Sequence, residues 1–246
     1  MRLTERVHLV GSGTLGFGLS HDLDCHVYLV NGRTEMTLVD AGVGLEFDRI
    51  VNHIRGDGLD LNKLKVLLLT HAHADHAGGC RQWKDRFGVK VVSSREAALF
   101  LRTGDEAGIS LAAAKAGGFY PADYRFQACP VDAELSEGDT LPVGDCELRV
   151  LETPGHCGGM LSYVMAVDGK RYLFSGDCIF HGGKILATNV YDCDLQQYVR
   201  SLQKMADLAV DVLLPGHLCV ALGGGQSHIQ KALDCLGRML LPASIL

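Results

Sequence analysis

The sequence predicts an α+β fold, two β-rich halves with helices at their periphery and no distinct linker between them. Three observations carry this. Short apolar runs bounded by turn residues recur in both halves, and several pair off as hairpins. Amphipathic segments with apolar residues at three- and four-residue steps lie between or after them. Ligand-type side chains cluster where the apolar runs end, so each such strand delivers a polar group at its tip.

Val7 to Val10 is strand-like and is followed by Gly11-Ser12-Gly13-Thr14-Leu15-Gly16. That run matches G-x-G-x-x-G, but a dinucleotide fingerprint needs a helix next, so that its N-terminus meets the pyrophosphate. Gly18 and Ser20 continue a loop instead, which argues against nucleotide binding. Val27 to Val30, Asn31-Gly32 and Met36 to Val39 read as a hairpin with a two-residue turn. Phe47, Ile50, Val51 and Ile54 mark an amphipathic helix over 45–55 stopped by Gly56. Val66 to Leu69 lacks polar relief and reads as a strand buried on both faces, with a helix over 79–87 after it. Ser93-x-x-Glu96 has capping-box spacing for a helix carrying Ala97, Ala98, Leu99 and Leu101. Residues 104–128 combine a short helix, Leu111 to Ala116, with Gly117, Gly118, Pro121, Phe119, Tyr120, Tyr124 and Phe126. This stretch is either a lid or substrate-contacting insertion or a surface excursion packed on the body. Past Cys146, Glu147 to Glu152 is a strand, and Leu161 to Val167, Asp168-Gly169 and Arg171 to Phe174 form a second hairpin. Two helices, marked by Leu195, Val199, Leu202 and Ala206 and by Ile229, Leu233, Leu236 and Leu240, flank a strand at Val212 to Leu214.

The 246 residues suit a single domain over 1–246, and 47% hydrophobic content is ample for a core. A net charge of −6 points to no nucleic-acid or anionic-membrane partner. No apolar stretch approaches a membrane span, and Met1-Arg2-Leu3-Thr4-Glu5-Arg6 lacks a signal-peptide core, so a cytoplasmic protein is expected, as monomer or homodimer. Nine scattered cysteines without Cys-x-x-Cys spacing speak against a disulfide framework and for buried thiols in a reducing compartment.

The chemistry concentrates at residues 65–79. His71, His73 and Asp75 follow the apolar strand at spacing two, so in an extended segment they leave one side of the chain, and His76 follows where the chain turns. Four such donors within six positions suit a metal, since imidazole nitrogen and carboxylate oxygen are usual ligands of zinc and related ions. A merely polar loop would bury these groups at about 2–7 kcal/mol each when unpaired.

Thr70-His71-Ala72-His73-Ala74-Asp75-His76-Ala77-Gly78-Gly79 resembles the T-H-x-H-x-D-H-x-G-G signature of the metallo-β-lactamase superfamily of hydrolases. Further motifs follow in order: Leu38-Val39-Asp40-Ala41-Gly42, Thr153-Pro154-Gly155-His156, Ser175-Gly176-Asp177 and Leu214-Pro215-Gly216-His217. The resemblance implies an αββα sandwich of two mixed β-sheets flanked by helices. It implies two divalent metal ions, zinc first, with iron or manganese as alternatives. By the family pattern His71, His73 and His156 hold one ion, Asp75, His76 and His217 the other, and Asp177 bridges, with Asp40 orienting ligands from behind. Asp75 and Asp177 are then catalytic as well as ligating, and a bridging hydroxide attacks the carbonyl of a small ester, thioester or lactone.

Phe180-His181-Gly182-Gly183-Lys184 loosely resembles a glutathione-binding segment of glyoxalase II enzymes, which makes His181 and Lys184 candidate substrate contacts. The spacing is shorter, and the extra C-terminal helical domain of those enzymes is missing, which speaks against glutathione thioesters. An acyl-homoserine-lactone hydrolase would carry a Tyr just after Asp177, and residues 178–181 have none. The alternative function is a mononuclear iron oxidoreductase of the persulfide dioxygenase type, against which the full second donor set stands; a metal-stabilised binding protein is a third class.

Overall fold

The computed structural model describes residues 1–245, so the last residue of the expected 1–246 domain lies outside it. The described residues divide into two compact units, 1–135 with 143–145, and 136–142 with 146–245.

The first unit carries β1 (Val7–Gly11), β2 (Val27–Asn31), β3 (Met36–Val39), α1 (Phe47–Gly56), β4 (Leu64–Leu68), α2 (Ala74–Ala77), α3 (Cys80–Phe87), β5 (Lys90–Ser94), α4 (Arg95–Thr103), α5 (Leu111–Ala116) and β6 (Ala133–Leu135). Its strands form a mixed sheet in the order β1-β2-β3-β4-β5-β6. The pairs β1–β2 and β2–β3 are antiparallel, and those from β3 to β6 are parallel. β1 and β3 are buried at every position, so apolar residues occupy both of their faces, with His8 and Thr37 as the buried polar members. The core of this unit gathers Leu29, Leu38, Ile50, Ile54, Leu67 and Val91 around the fully buried Trp83. Phe47 and Phe87 tilt against the indole at centroid distances of 4.5 and 5.4 Å, and the indole Nε1 donates to Ala41 O at 3.3 Å.

Three local expectations shift. Register pairs Asn31 with Met36, so the first hairpin closes through four residues, 32–35, with Arg33 at φ 66°. The Asn31 side chain accepts from Arg33 N at 2.9 Å, placing Asn31 at the strand end instead of the turn centre. α1 runs through Gly56, and Asp57 N then donates to His53 O at 3.0 Å. α4 is capped by Ser94, not Ser93, because β5 continues one residue further; Ser94 Oγ accepts from Ala97 N at 3.1 Å.

The second unit holds β7 (Thr140–Val143), β8 (Cys146–Glu152), β9 (Leu161–Val167), β10 (Lys170–Gly176), α6 (Leu195–Lys204), β11 (Val212–Pro215) and α7 (Gln226–Gly237). Its mixed sheet runs β11-β10-β9-β8-β7, with β10 antiparallel to β9 and parallel to β11. The β9–β10 hairpin turns at Asp168 and Gly169, both at positive φ, as a two-residue hairpin turn demands. Tyr198, Leu202, Ile229 and Ala232 of α6 and α7 pack with Leu173 and Leu213 of the sheet. Among the described residues all nine cysteines are free, six of them buried, and no helix is long and apolar enough to cross a membrane.

Candidate metal centre

In the first unit the donors are assembled behind β4. Asp40 sits at φ 65°, a left-handed conformation that a short polar side chain tolerates. Its carboxylate accepts from Thr70 N at 2.8 Å and from Thr70 Oγ1, and its Oδ2 lies 2.8 Å from His76 Nδ1. An ionised carboxylate only accepts, so His76 carries its proton on Nδ1 and turns the Nε2 lone pair away from Asp40. The chain stays extended only as far as His73, at φ −58° and ψ 149°. The expected spacing-two alternation therefore stops there, and Asp75 joins His76 on the single turn of α2, whose N-cap is His73. The donors converge regardless: the His71 ring lies 4.6 Å from that of His73 and 4.0 Å from that of His76, and Asp75 Oδ2 is 3.4 Å from His76 Nε2. Gly78 is required here, since a Cβ would collide with Tyr124 Oη and the Val43 carbonyl. Cys25 offers its sulfur within 4.8 Å of Asp40 and His76 donor atoms. Burial pushes its thiol well above the usual range. Tyr120 donates to Asp75 Oδ1 at 3.0 Å, and burial, then the neighbouring Asp75, hold its phenol well above the usual value.

The second unit brings three strand ends to one carboxylate. Asp177, just past β10, has Oδ2 3.6 Å from Nε2 of His156, which follows β8, and 3.5 Å from Nε2 of His217, which follows β11. His156 Nδ1 donates to Leu186 O at 2.8 Å, and a carbonyl can only accept, so its Nε2 bears the lone pair. The Tyr198 hydroxyl donates to Asp177 O at 2.6 Å and accepts from Leu186 N at 3.2 Å, joining the backbones behind both donors. Gly155, at φ 144°, lets α6 lie against this loop, since a Cβ there would strike the Tyr198 backbone. Burial, then Asp177, push the Cys178 thiol up to about 12.

Separations of 3.4–3.6 Å between these nitrogens and carboxylate oxygens exceed ordinary hydrogen-bond lengths. Two ligands each about 2.0–2.1 Å from one tetrahedral ion stand about 3.3–3.4 Å apart, so the donor set fits divalent metal in both chemistry and spacing. His181 and Lys184 are placed elsewhere in the second unit. They are exposed on the turn where Phe180 N donates to Lys184 O at 2.9 Å, and the His181 ring lies 4.3 Å from that of His228 in α7.

The sequence pattern singles out the His and Asp residues that each unit gathers here, together with Asp40, but not the contacts of Tyr120 and Tyr198. A buried aromatic at helical spacing, as Tyr198 is, reads as core, and nothing local marks the carbonyl it serves.

Residues 22–217 match the family described as the Metallo-beta-lactamase superfamily. The chain is 32% identical over 184 residues to the hydroxyacylglutathione hydrolase GloC of Haemophilus influenzae, covering 71% of this chain and 76% of that one. It is 31% identical over 211 residues to the acyl-coenzyme A thioesterase MBLAC2 of Gallus gallus, covering 78% and 72%. Other hydroxyacylglutathione hydrolases that it matches are longer, and the match spans about half their length or less. In structure it is similar to BJP-1, a subclass B3 metallo-beta-lactamase of Bradyrhizobium japonicum, with a TM-score of 0.72 over 97% of this chain and 92% of that one. At 22% identity that likeness is one of fold. Two mixed sheets flanked by helices are thus the family's architecture, and the chain belongs to the metallo-β-lactamase superfamily as one of its metal-dependent hydrolases.

Proposed function

We propose that the chain hydrolyses thioesters of a small-molecule carrier at a dinuclear centre. The observation that carries this reading is a single carboxylate oxygen, Asp177 Oδ2, between two imidazole nitrogens at 3.6 and 3.5 Å, as a shared ligand needs. In this reading the two units act as one metallo-β-lactamase-like domain, with His71, His73 and His156 on one zinc ion, Asp75, His76 and His217 on the other, and Asp177 common to both. Bound there, such ions supply positive charge that polarises a carbonyl and lowers the pKa of a water to about 7. Asp40 and the Leu186 carbonyl keep His76 and His156 in the tautomer that presents Nε2. Asp75 and Asp177 orient the water as acceptors.

Thioesters fit because a thiolate, with a pKa of about 8.5 for its thiol, leaves near neutral pH without a positioned acid. Names support the same class: one relative acts on hydroxyacylglutathione and another on acyl-coenzyme A. This sets aside the expectation against glutathione thioesters. His181 and Lys184 would meet the anionic part of such a carrier, and segment 104–128 the acyl part. Six buried free thiols suit a reducing cytoplasm.

The test is a panel of hydroxyacylglutathione, acyl-coenzyme A, lactone and phosphodiester substrates offered to metal-loaded enzyme. Thioesters should turn over fastest, with two ions per chain. Asp177→Asn should lose more than the roughly 10- to 100-fold that removal of an outer partner brings. Faster lactone or phosphodiester turnover, or full activity in Asp177→Asn, would sink the reading.

A further inference from the structure

Segment 104–128 does more than cover surface. Its Tyr120 hydroxyl donates to Asp75 Oδ1 at 3.0 Å, while the other oxygen of the same carboxylate lies 3.4 Å from His76 Nε2. A carboxylate rotates over a broad, roughly two-fold torsion, so a donor held on one oxygen decides where the other points. We propose that Tyr120 is a positioning residue, which fixes Asp75 so that Oδ2 and His76 Nε2 face one ion and thereby sets the affinity of this half of the centre. The inference rests on the reading above that Asp75 ligates a metal.

Tyr120 is itself held in place. Its ring lies 5.5 Å from that of Tyr124, whose hydroxyl donates to Val43 O at 2.9 Å. Upstream, Lys115 pairs with Glu106 Oε2 at 2.5 Å, and Glu106 Oε1 accepts from Phe126 N at 3.0 Å, closing the segment on itself. A simple tether could use the Tyr124 bond to a main-chain carbonyl alone. The Tyr120 bond goes instead to a carboxylate, a charge-assisted contact that acts on the donor strength and direction of the acid.

The test compares wild type with Tyr120→Phe, Tyr124→Phe and Asp75→Asn, each stripped of metal and titrated with zinc and with cobalt(II). Read out are ions bound per chain, affinity of the weaker ion by chelator competition, the visible cobalt spectrum, and melting of the metal-free protein. Tyr120→Phe should weaken the second ion about 10- to 100-fold, shift the cobalt bands and leave the first ion and metal-free melting as in wild type. Tyr124→Phe, which leaves the Tyr120 hydroxyl present, should weaken the second ion far less than Tyr120→Phe does and leave the first unchanged. Wild-type metal binding in Tyr120→Phe overturns the inference, whether or not metal-free melting falls, and so does equal weakening in both tyrosine variants, which would mark segment packing as the cause. If Asp75→Asn keeps two tight ions, the ligand assignment itself fails, a result separate from failure of the tyrosine alone.

Discussion

Asp40 divides its two carboxylate oxygens between Thr70 and His76, three donors in all counting the Thr70 amide and hydroxyl, from a backbone at φ 65°. Asparagine tolerates that backbone, yet it has one acceptor oxygen, so either Thr70 N or His76 Nδ1 must face an NH₂ group. Asp40→Asn is therefore expected to fold and to bind metal about 10- to 100-fold more weakly, measured by competition with a chromophoric chelator. Unchanged affinity would mean that the His76 orientation does not depend on this carboxylate. At this scale the donors were legible because they come as a run, or as the ends of apolar strands. Tyr120 and Tyr198 were not, since they reach partners 45 and 21 positions away, and only the folded chain makes those distances short.

Among the elements, the helices and strands of both units follow their apolar periods, and the discrepancies lie at their ends. Strand pairing of Asn31 with Met36 overrode the turn preference of Asn-Gly, and continuation of β5 through Ser94 moved the helix cap by one residue. Asp75 left the extended pattern because α2 starts immediately after His73. The β5 extension is a case of pairing with distant chain, Ser94 opposite Leu135, outweighing local propensity, whereas α2 is set by its own local bonds, His76 N and Ala77 N to His73 O. The contact of α6 with the His156 loop is tighter than its helical pattern suggests. Ser201 Oγ donates to Pro154 O at 2.6 Å, Asp194 N donates to Gly155 O at 2.9 Å, and Gly155 leaves no room for a Cβ. Gly155→Ala is expected to lose about 1–3 kcal/mol of stability by overpacking, seen as a lower denaturant midpoint at an unchanged slope. A midpoint equal to wild type would contradict this close approach.

Among the described residues one apolar core gathers around Trp83 and another includes Leu173, and the proposed donors are drawn from both units. Binding that favours only the folded state raises stability by about 2.7 kcal/mol at a free ion concentration a hundredfold above Kd. For a chain of this size that corresponds to roughly 5–10 °C in melting temperature. Metal-loaded protein should thus melt about that much higher than protein treated with chelator, and equal melting curves would argue that the donors hold no ion in the folded chain. The hydroxyl of Tyr198 also has a meaning for descent. Because its partners are main-chain groups, the carbonyl of Asp177 and the amide of Leu186, whose own oxygen holds His156, position 186 can change its side chain to any residue that keeps an amide hydrogen, whereas position 198 must keep a hydroxyl at that reach.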